Sequence, residues 1–191
     1  MTPRQFPGLR ALVDMLDDAV VKPTPEAISH AIGGGLTRII SERAIELPAC
    51  LTQPLPGCYA RRLIHASDRL DYTVIAMTWG PGQRTPIHDH SGLWCVEGVV
   101  QGTIEVVQYD LVEDLGARCR FREAGRIFAG VGSSGALLPP YEYHTIANTS
   151  ERASAVTIHV YASEMYRCNV YEPAGESGWY GRARKQLAYS A

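Results

Sequence analysis

No CxxC pair occurs among the five cysteines, Cys50, Cys58, Cys95, Cys119 and Cys168, and their number is odd. That argues against a disulfide framework and against a four-cysteine zinc site, and it favours a reducing compartment. No apolar run approaches the ~18 residues that a membrane helix needs. No Lys/Arg-rich block stands out, and the formal net charge is -2, so nucleic acid is not an expected partner. Repeats with a period of ~20–50 residues are absent, as are low-complexity segments. The opening stretch, MTPRQFPGLRALVDMLDD, places acids where an export signal would be apolar. The expectation is a cytoplasmic protein that does not span a membrane.

What remains is ordinary for a globular chain: 191 residues, 46% hydrophobic and 20% charged. This predicts one domain with a sizeable core. Residues 1–47 read as helical, with Leu9, Leu12, Val13, Leu16 and Val20 on the 3.6-residue period. Thr24-Pro25-Glu26 is a helix start, and Gly33-Gly34-Gly35 is expected to end that helix before a short one from Leu36. The triple glycine lacks the following Lys-Ser/Thr of a phosphate loop. Pro48–Gly57 reads as a connector. Cys50 and Cys119 are expected to be buried small hydrophobes. From Tyr59 the texture changes to short strands: Tyr59–His65, Asp71–Trp79, a strand at His88, Leu93–Val100 and Thr103–Leu111. Arg118–Glu123, Gly125–Phe128, Gly135–Leu138, His144–Asn148, Ala153–Tyr161 and Cys168–Tyr171 follow. Hairpins are expected across Gln101-Gly102 and across Thr149–Arg152. The C-terminal tail is residues 173–191, of which Arg182–Ala191 is basic and then apolar, and no element is assigned there. Many short strands with Gly/Pro turns predict a mainly β fold, a closed barrel or sandwich with N-terminal α-helices.

The stretch that organises the rest is TPIHDHSGLWCVEGVVQG, Thr85–Gly102. In an extended strand successive side chains face opposite ways, so His88 and His90 share a face and Asp89 points away. Two imidazoles so placed make half of a metal site. The lead-in, Gly-Pro-Gly-Gln-Arg-Thr-Pro, is rigid. A third imidazole, His144, opens a later strand after Pro139-Pro140. His30 and His65 have no evident role. Imidazole binds iron, zinc, copper and nickel, so these ligands alone do not select the metal.

The spacing resembles the cupin superfamily, whose first motif is G-x5-H-x-H-x3,4-E-x6-G. Gly82, His88, His90 and Gly102 fit it, and the Glu position falls on Cys95. A cysteine in place of the carboxylate is the pattern of the cysteine dioxygenase family, and the resemblance covers roughly Tyr59 to Tyr171. It implies a cupin-type small β-barrel, a double-stranded β-helix or jelly roll. It implies one Fe(2+) held by His88, His90 and His144, and a thioether cross-link between Cys95 and Tyr161. The family's Ser-x-His-x-Tyr run resembles Thr157-Ile158-His159-Val160-Tyr161, with Thr replacing Ser. Its Tyr-x-Arg resembles Tyr59-Ala60-Arg61, where Arg grips the substrate carboxylate, with Arg62 as the alternative if the register slips by one. Its pocket cysteine falls on Cys168. The family's Ser-Pro after the Tyr is Ala162-Ser163 here, so no cis-proline is expected there.

The implied reaction adds both atoms of O2 to the sulfur of L-cysteine and gives cysteine sulfinic acid. The chemistry of the residues agrees. Three neutral imidazoles leave a +2 ion uncompensated, which favours an anionic ligand such as a thiolate. Thr157, His159 and Tyr161 alternate on one strand and share a face, as a hydrogen-bond relay requires. The sister 3-mercaptopropionate dioxygenases carry Gln at the Arg position, so Arg61 tilts the reading to cysteine. A non-catalytic cupin and a zinc cupin using Glu97, on the face of Cys95, are the competing readings.

Overall fold

The computed structural model describes residues 5–175 and 177–190. Helix α1 (Leu9–Val20) buries Leu12, Leu16 and Ala19, one stripe at helical period. Helix α2 (Pro25–Ser41) starts where the sequence places it: Thr24 Oγ1 accepts the Ala27 N–H at 3.2 Å and Pro25 takes the first helical position. It does not end at the triple glycine but runs through to Ser41. An interior glycine costs about 1 kcal/mol relative to alanine. Here the packing needs it, because a Cβ on Gly35 would meet the Met15 side chain of α1 and one on Gly33 would lie 3.3 Å from Ser134 Oγ. The proline-rich connector holds a short helix, α3 (Ala49–Thr52). Cys50, on that helix, is exposed, contrary to expectation, while its neighbour Leu51 takes the buried position.

Two sheets follow. The first has the order β1 (Ala60–Ala66), β2 (Thr73–Trp79), β9 (Ala155–Tyr161), β4 (Cys95–Gln101), β7 (Ser134–Leu137). The second has the order β10 (Arg167–Pro173), β11 (Trp179–Gln186), β6 (Arg118–Gly130), β5 (Thr103–Asp114), β8 (His144–Ala147), β3 (Ile87–His88), and it closes where β3 pairs with β10. The architecture is mainly β, a cupin-type barrel carrying N-terminal helices. One face of the first sheet (Val74, Ala76, Val96, Ile158, Val160) packs on α1 and α2. Its other face (Ile75, Met77, Trp79, Val99) packs on Ile104, Val106 and Ile146 of the second sheet. Burial on both faces explains why β2, with Val74–Met77, shows no apolar/polar alternation. No helix among the described residues is long and apolar enough to cross a membrane.

Both expected hairpins are instead passages from one sheet to the other. β4 pairs with β7 and β9, whereas β5 pairs with β6 and β8. β8 likewise pairs with β3 and β5, and β9 with β2 and β4. The apolar β4 and β9 need neighbours on each side within the buried sheet, a demand that a local turn signal does not reveal. At the first corner Gly102 has φ +75° and a Cβ would lie 3.0 Å from the Ser154 carbonyl, so the turn requires glycine. The two short strands expected over 118–128 are one, β6, with a register shift opposite Gln108/Tyr109. The tail, assigned no element from the sequence, supplies β11, which lies between β10 and β6. Among the described residues the cis peptide bond is Pro139-Pro140.

Candidate metal centre

His88 and His144 are register partners on adjoining strands β3 and β8. His90 follows two residues after His88, on the same side. Their ring centroids lie 4.4 Å (His88–His144), 5.0 Å (His90–His144) and 5.3 Å (His88–His90) apart. One nitrogen from each falls within 4.8 Å of the others. His88 Nδ1 faces the Pro86 carbonyl at 3.2 Å and His144 Nδ1 faces the Glu142 carbonyl at 3.0 Å. Donating Nδ1–H to a carbonyl leaves the Nε2 lone pair for a metal. Burial, then the neighbouring His144, lowers the His88 pKa to about 3, and the same two causes hold His90 well below its usual value. Both are therefore neutral, the ligating form.

The buried polar atoms test whether a metal fits. Both ring nitrogens of His90, His144 Nε2 and Glu97 Oε1 have no hydrogen-bond partner among the described residues. A buried polar atom left unpaired costs about 1–3 kcal/mol. A divalent ion between the imidazoles would satisfy several of them at once. Asp89 points away, as expected. It accepts from the Asn169 backbone N–H (2.9 Å), Asn169 Nδ2 (2.7 Å) and Tyr171 OH (3.3 Å), and so ties β3 to β10.

The facing wall comes from β4 and β9. Cys95 is the register partner of Tyr161, and Glu97 that of His159. Trp79 Nε1–H donates to Thr157 Oγ1 at 3.0 Å, and that hydroxyl lies 2.7 Å from His159 Nε2. With its acceptor side engaged by Trp79, the Thr157 O–H is free to donate to Nε2, which puts the His159 proton on Nδ1. Nδ1 lies 3.1 Å from Glu97 Oε1, 3.5 Å from Tyr161 OH and 4.0 Å from Cys95 Sγ. Burial, then the Cys95 thiol, pushes the Tyr161 phenol well above its usual value. Burial, then Glu97, pushes the Cys95 thiol up. Burial opposes ionisation of Glu97, but His159 and His144 outweigh it and hold the carboxyl well below its usual range.

A narrow cavity of about 20 Å³ opens between these walls, lined by Tyr59, Arg61, His88, Tyr161, Cys168 and Lys185 among others. Arg61 is 6% exposed; its Nη1 donates to the Ala188 carbonyl at 3.3 Å and its buried Nη2 has no partner among the described residues. The segment after β11 is strapped to the same residue, with Ser190 N–H donating to the Arg61 carbonyl at 2.6 Å. Arg62 points to the opposite, helix-facing side, where Nη1 lies 3.5 Å from Thr78 Oγ1. The Tyr59 ring lies on Trp79 at 4.8 Å between centroids. Burial, then Asp89, raises the Cys168 thiol to about 11. Every site residue expected from the sequence thus lies at this cavity or on its walls. Lys185 was missed; it is the register partner of Cys168, and its strand is too polar to announce itself. A second cavity of about 160 Å³ reaches Glu97 from the other side, between Val99, Val106, Phe128 and Leu137.

The family model for cysteine dioxygenase type I matches residues 56–174, more than half of the chain. This chain belongs to the cysteine dioxygenase type I family. The matched span contains Tyr59, Arg61, all three imidazoles, Tyr161 and Cys168, whereas α1, α2 and β11 lie outside it. Cysteine dioxygenase type 1 of Danio rerio is 21% identical over 114 residues, 60% of this chain and 56% of that protein. The chain therefore aligns with little over half of that relative's length. Solved structures similar to this member of the cysteine dioxygenase type I family have low identity. One, from Thermus thermophilus, is 19% identical with a TM-score of 0.46, covering 60% of this chain and 91% of its own. Another is an uncharacterized conserved protein with a double-stranded β-helix domain from Klebsiella pneumoniae. It is 17% identical with a TM-score of 0.47, covering 63% and 85%.

Proposed function

We propose that this chain is an iron(II)-dependent thiol dioxygenase that converts L-cysteine and O2 to cysteine sulfinic acid in the cytoplasm. The carrying observation is that His88, His90 and His144 converge at a cavity that His88 and Arg61 both line, with Arg61 Nη2 buried and unpaired among the described residues, in a chain of this family. A ferrous ion bound by the three imidazoles would stabilise the substrate thiolate and bring dioxygen against it. The sum R-SH + O2 → R-SO2H balances, with sulfur losing the four electrons that dioxygen gains, so no external reductant is required.

The chain's own groups bind and orient. Arg61 offers a buried guanidinium N–H to the substrate carboxylate, and such charge-assisted bonds are strong where water is excluded. Met77, Ile146, Met165 and Leu187 line the same cavity and keep it dry. Tyr161 keeps its phenol proton and presents it as a donor, with His159 beside it and Thr157 fixing the His159 ring. Cys95 and Tyr161, opposite each other across β4 and β9, are the pair for a thioether cross-link. Joining a thiol to a ring carbon removes two electrons and two protons, and dioxygen is the acceptor. Cys168 and Tyr59 shape the substrate end.

A second reading, 3-mercaptopropionate as substrate, is favoured by one observation: the cavity lining holds the cations Arg61 and Lys185 but no carboxylate to receive a substrate ammonium. Oxygen uptake by the Fe(II)-loaded protein with each thiol, with products identified by mass, separates the two. Cysteine preferred, with the sulfinate formed, is the expected result. Preference for 3-mercaptopropionate moves the substrate and keeps the reaction. No uptake with either overturns the proposal.

A further inference from the structure

Lys185 stands on β11 directly opposite Cys168 of β10. Directly opposed residues of antiparallel strands share a face, and Cys168 and Lys185 both line the narrow cavity below the three imidazoles. Leu187 lines it too, whereas Arg184 and Gln186 do not, as period-two alternation requires. Lys185 is exposed and Arg61 is buried, so one cation stands at the mouth of the cavity and the other within its wall. No acidic side chain lines it. Among the described residues the Lys185 ammonium has no ion pair and no hydrogen bond, and its Nζ lies 5.6 Å from the centroid of the Tyr59 ring. Burial, then Asp89, raises the Cys168 thiol, and Lys185 and Arg61 both act against that rise. The two charges therefore reach the same space beside Cys168. Two cations converging on one cavity repel each other, and an anionic ligand between them removes that cost.

We propose that Lys185 is a specificity-determining residue, a second contact for the anionic end of the substrate, so that the carboxylate of a small thiol is held between Arg61 and Lys185. The inference rests on the reading of this cavity as the thiol site of a dioxygenase. The ligand class is a small thiol that carries a carboxylate; one that carries only an ammonium gains nothing from either cation. The two cations act differently. Arg61 is fixed and shielded from water, so its bond to a carboxylate is directed and little affected by salt. Lys185 is a compact charge on a flexible stem, placed where it draws anions from solution and where salt screens it. It also comes from a strand outside the span that the family model covers, so the shared part of the site does not supply it.

The test compares the Fe(II)-loaded wild type with Lys185→Met, which keeps a stem over Tyr59 but removes the charge, and with Lys185→Arg, which keeps the charge. KM and kcat are measured for 3-mercaptopropionate, cysteine and cysteamine, and Kd for 3-mercaptopropionate is measured by calorimetry under argon, without turnover. Lys185→Met is expected to raise KM and Kd for the carboxylate thiols about 5–10-fold at low salt. The measurement belongs at about 10 mM ionic strength, where the Debye length is about 30 Å; at about 1 M, where it is about 3 Å, the loss should shrink below about twofold. The effect on kcat should be smaller than that on KM, cysteamine should not be weakened, and Lys185→Arg should stay within about twofold of wild type. With Arg61→Ala added, the combined loss should depart from the product of the two single losses, because both cations act on one carboxylate. An equal change for all three thiols, or a loss that salt does not diminish, overturns the proposal and leaves Lys185 a packing role on Tyr59. No change with any thiol at low salt overturns it as well. The dioxygenase reading fails separately: a wild type that takes up no oxygen, yet binds 3-mercaptopropionate under argon in a Lys185-dependent way, keeps this inference and removes that one. A wild type that binds neither carboxylate thiol overturns both.

Discussion

The histidine wall of the cavity stands on β3 and β8, strands of two and four residues, whereas the facing wall stands on β4 and β9, of seven residues each and almost wholly buried. The two are held by different physics. Strands so short offer little apolar surface, mainly Ile87 on β3 and Ile146 on β8, and directed polar bonds add to it. The Pro86 and Glu142 carbonyls orient two imidazoles. Asp89 pins β3 to β10, and Glu142 Oε1 accepts the His90 N–H at 3.4 Å. On the facing wall, Val96, Ile158 and Val160 pack the strands against the helices while Val99 packs toward the second sheet, and the polar groups ride on a frame that packing has already fixed. A site made this way should fail differently according to which wall is disturbed.

The largest effect should come from the histidine wall itself. His144→Ala is expected to lose bound iron and turnover together, read by metal analysis and oxygen uptake; full activity in that variant would end the three-imidazole assignment. Next is Ile158→Ala on the packed wall, which should cost about 2–5 kcal/mol in urea unfolding. The protein that stays folded should bind metal as before. Asp89→Ala should cost roughly 1.5–3 kcal/mol for the lost charged hydrogen bonds and, unlike Ile158→Ala, should weaken metal binding as well. If both variants change stability and metal affinity in the same proportion, the contrast between the walls is broken. The smallest effect belongs to substrate binding. Arg61→Ala should weaken carboxylate thiols about 10–100-fold, equivalent to the roughly 1.5–3 kcal/mol of one charged hydrogen bond, and leave cysteamine nearly unaffected. Equal loss for both would take Arg61 out of carboxylate recognition.

The same contrast governs what could be read from the sequence. That His88 and His90 share a face, and that Thr157, His159 and Tyr161 do, follows from period-two alternation; the role of the second set is what the family resemblance implies, and His144 stands out after the prolines before a strand. Residues on one strand share a face whatever the strand pairs with. Which strands pair is a matter of distant partners, so β4 and β8 looked like hairpin arms while each crosses between sheets at its far end. The triple glycine misled for a related reason: its cost is local, and the contacts with Met15 and Ser134 that justify it are not. That Arg61 rather than Arg62 faces the cavity was left open by sequence and is decided by register, since Arg61 pairs with inward Met77 and Arg62 with outward Ala76.

The strap after β11 holds Arg61 by its main chain and by one side of its guanidinium, leaving Nη2 without a partner among the described residues. A free arginine surrenders up to about 2 kcal/mol of rotamer entropy when it is immobilised. Here that loss is taken during folding, before any ligand arrives, so more of the attraction between guanidinium and carboxylate remains to appear as affinity. Shortening the chain after Leu187 would remove Ala188 and Ser190 and return that freedom to the arginine. The consequence would be weaker substrate capture in a protein whose metal and reacting groups are untouched.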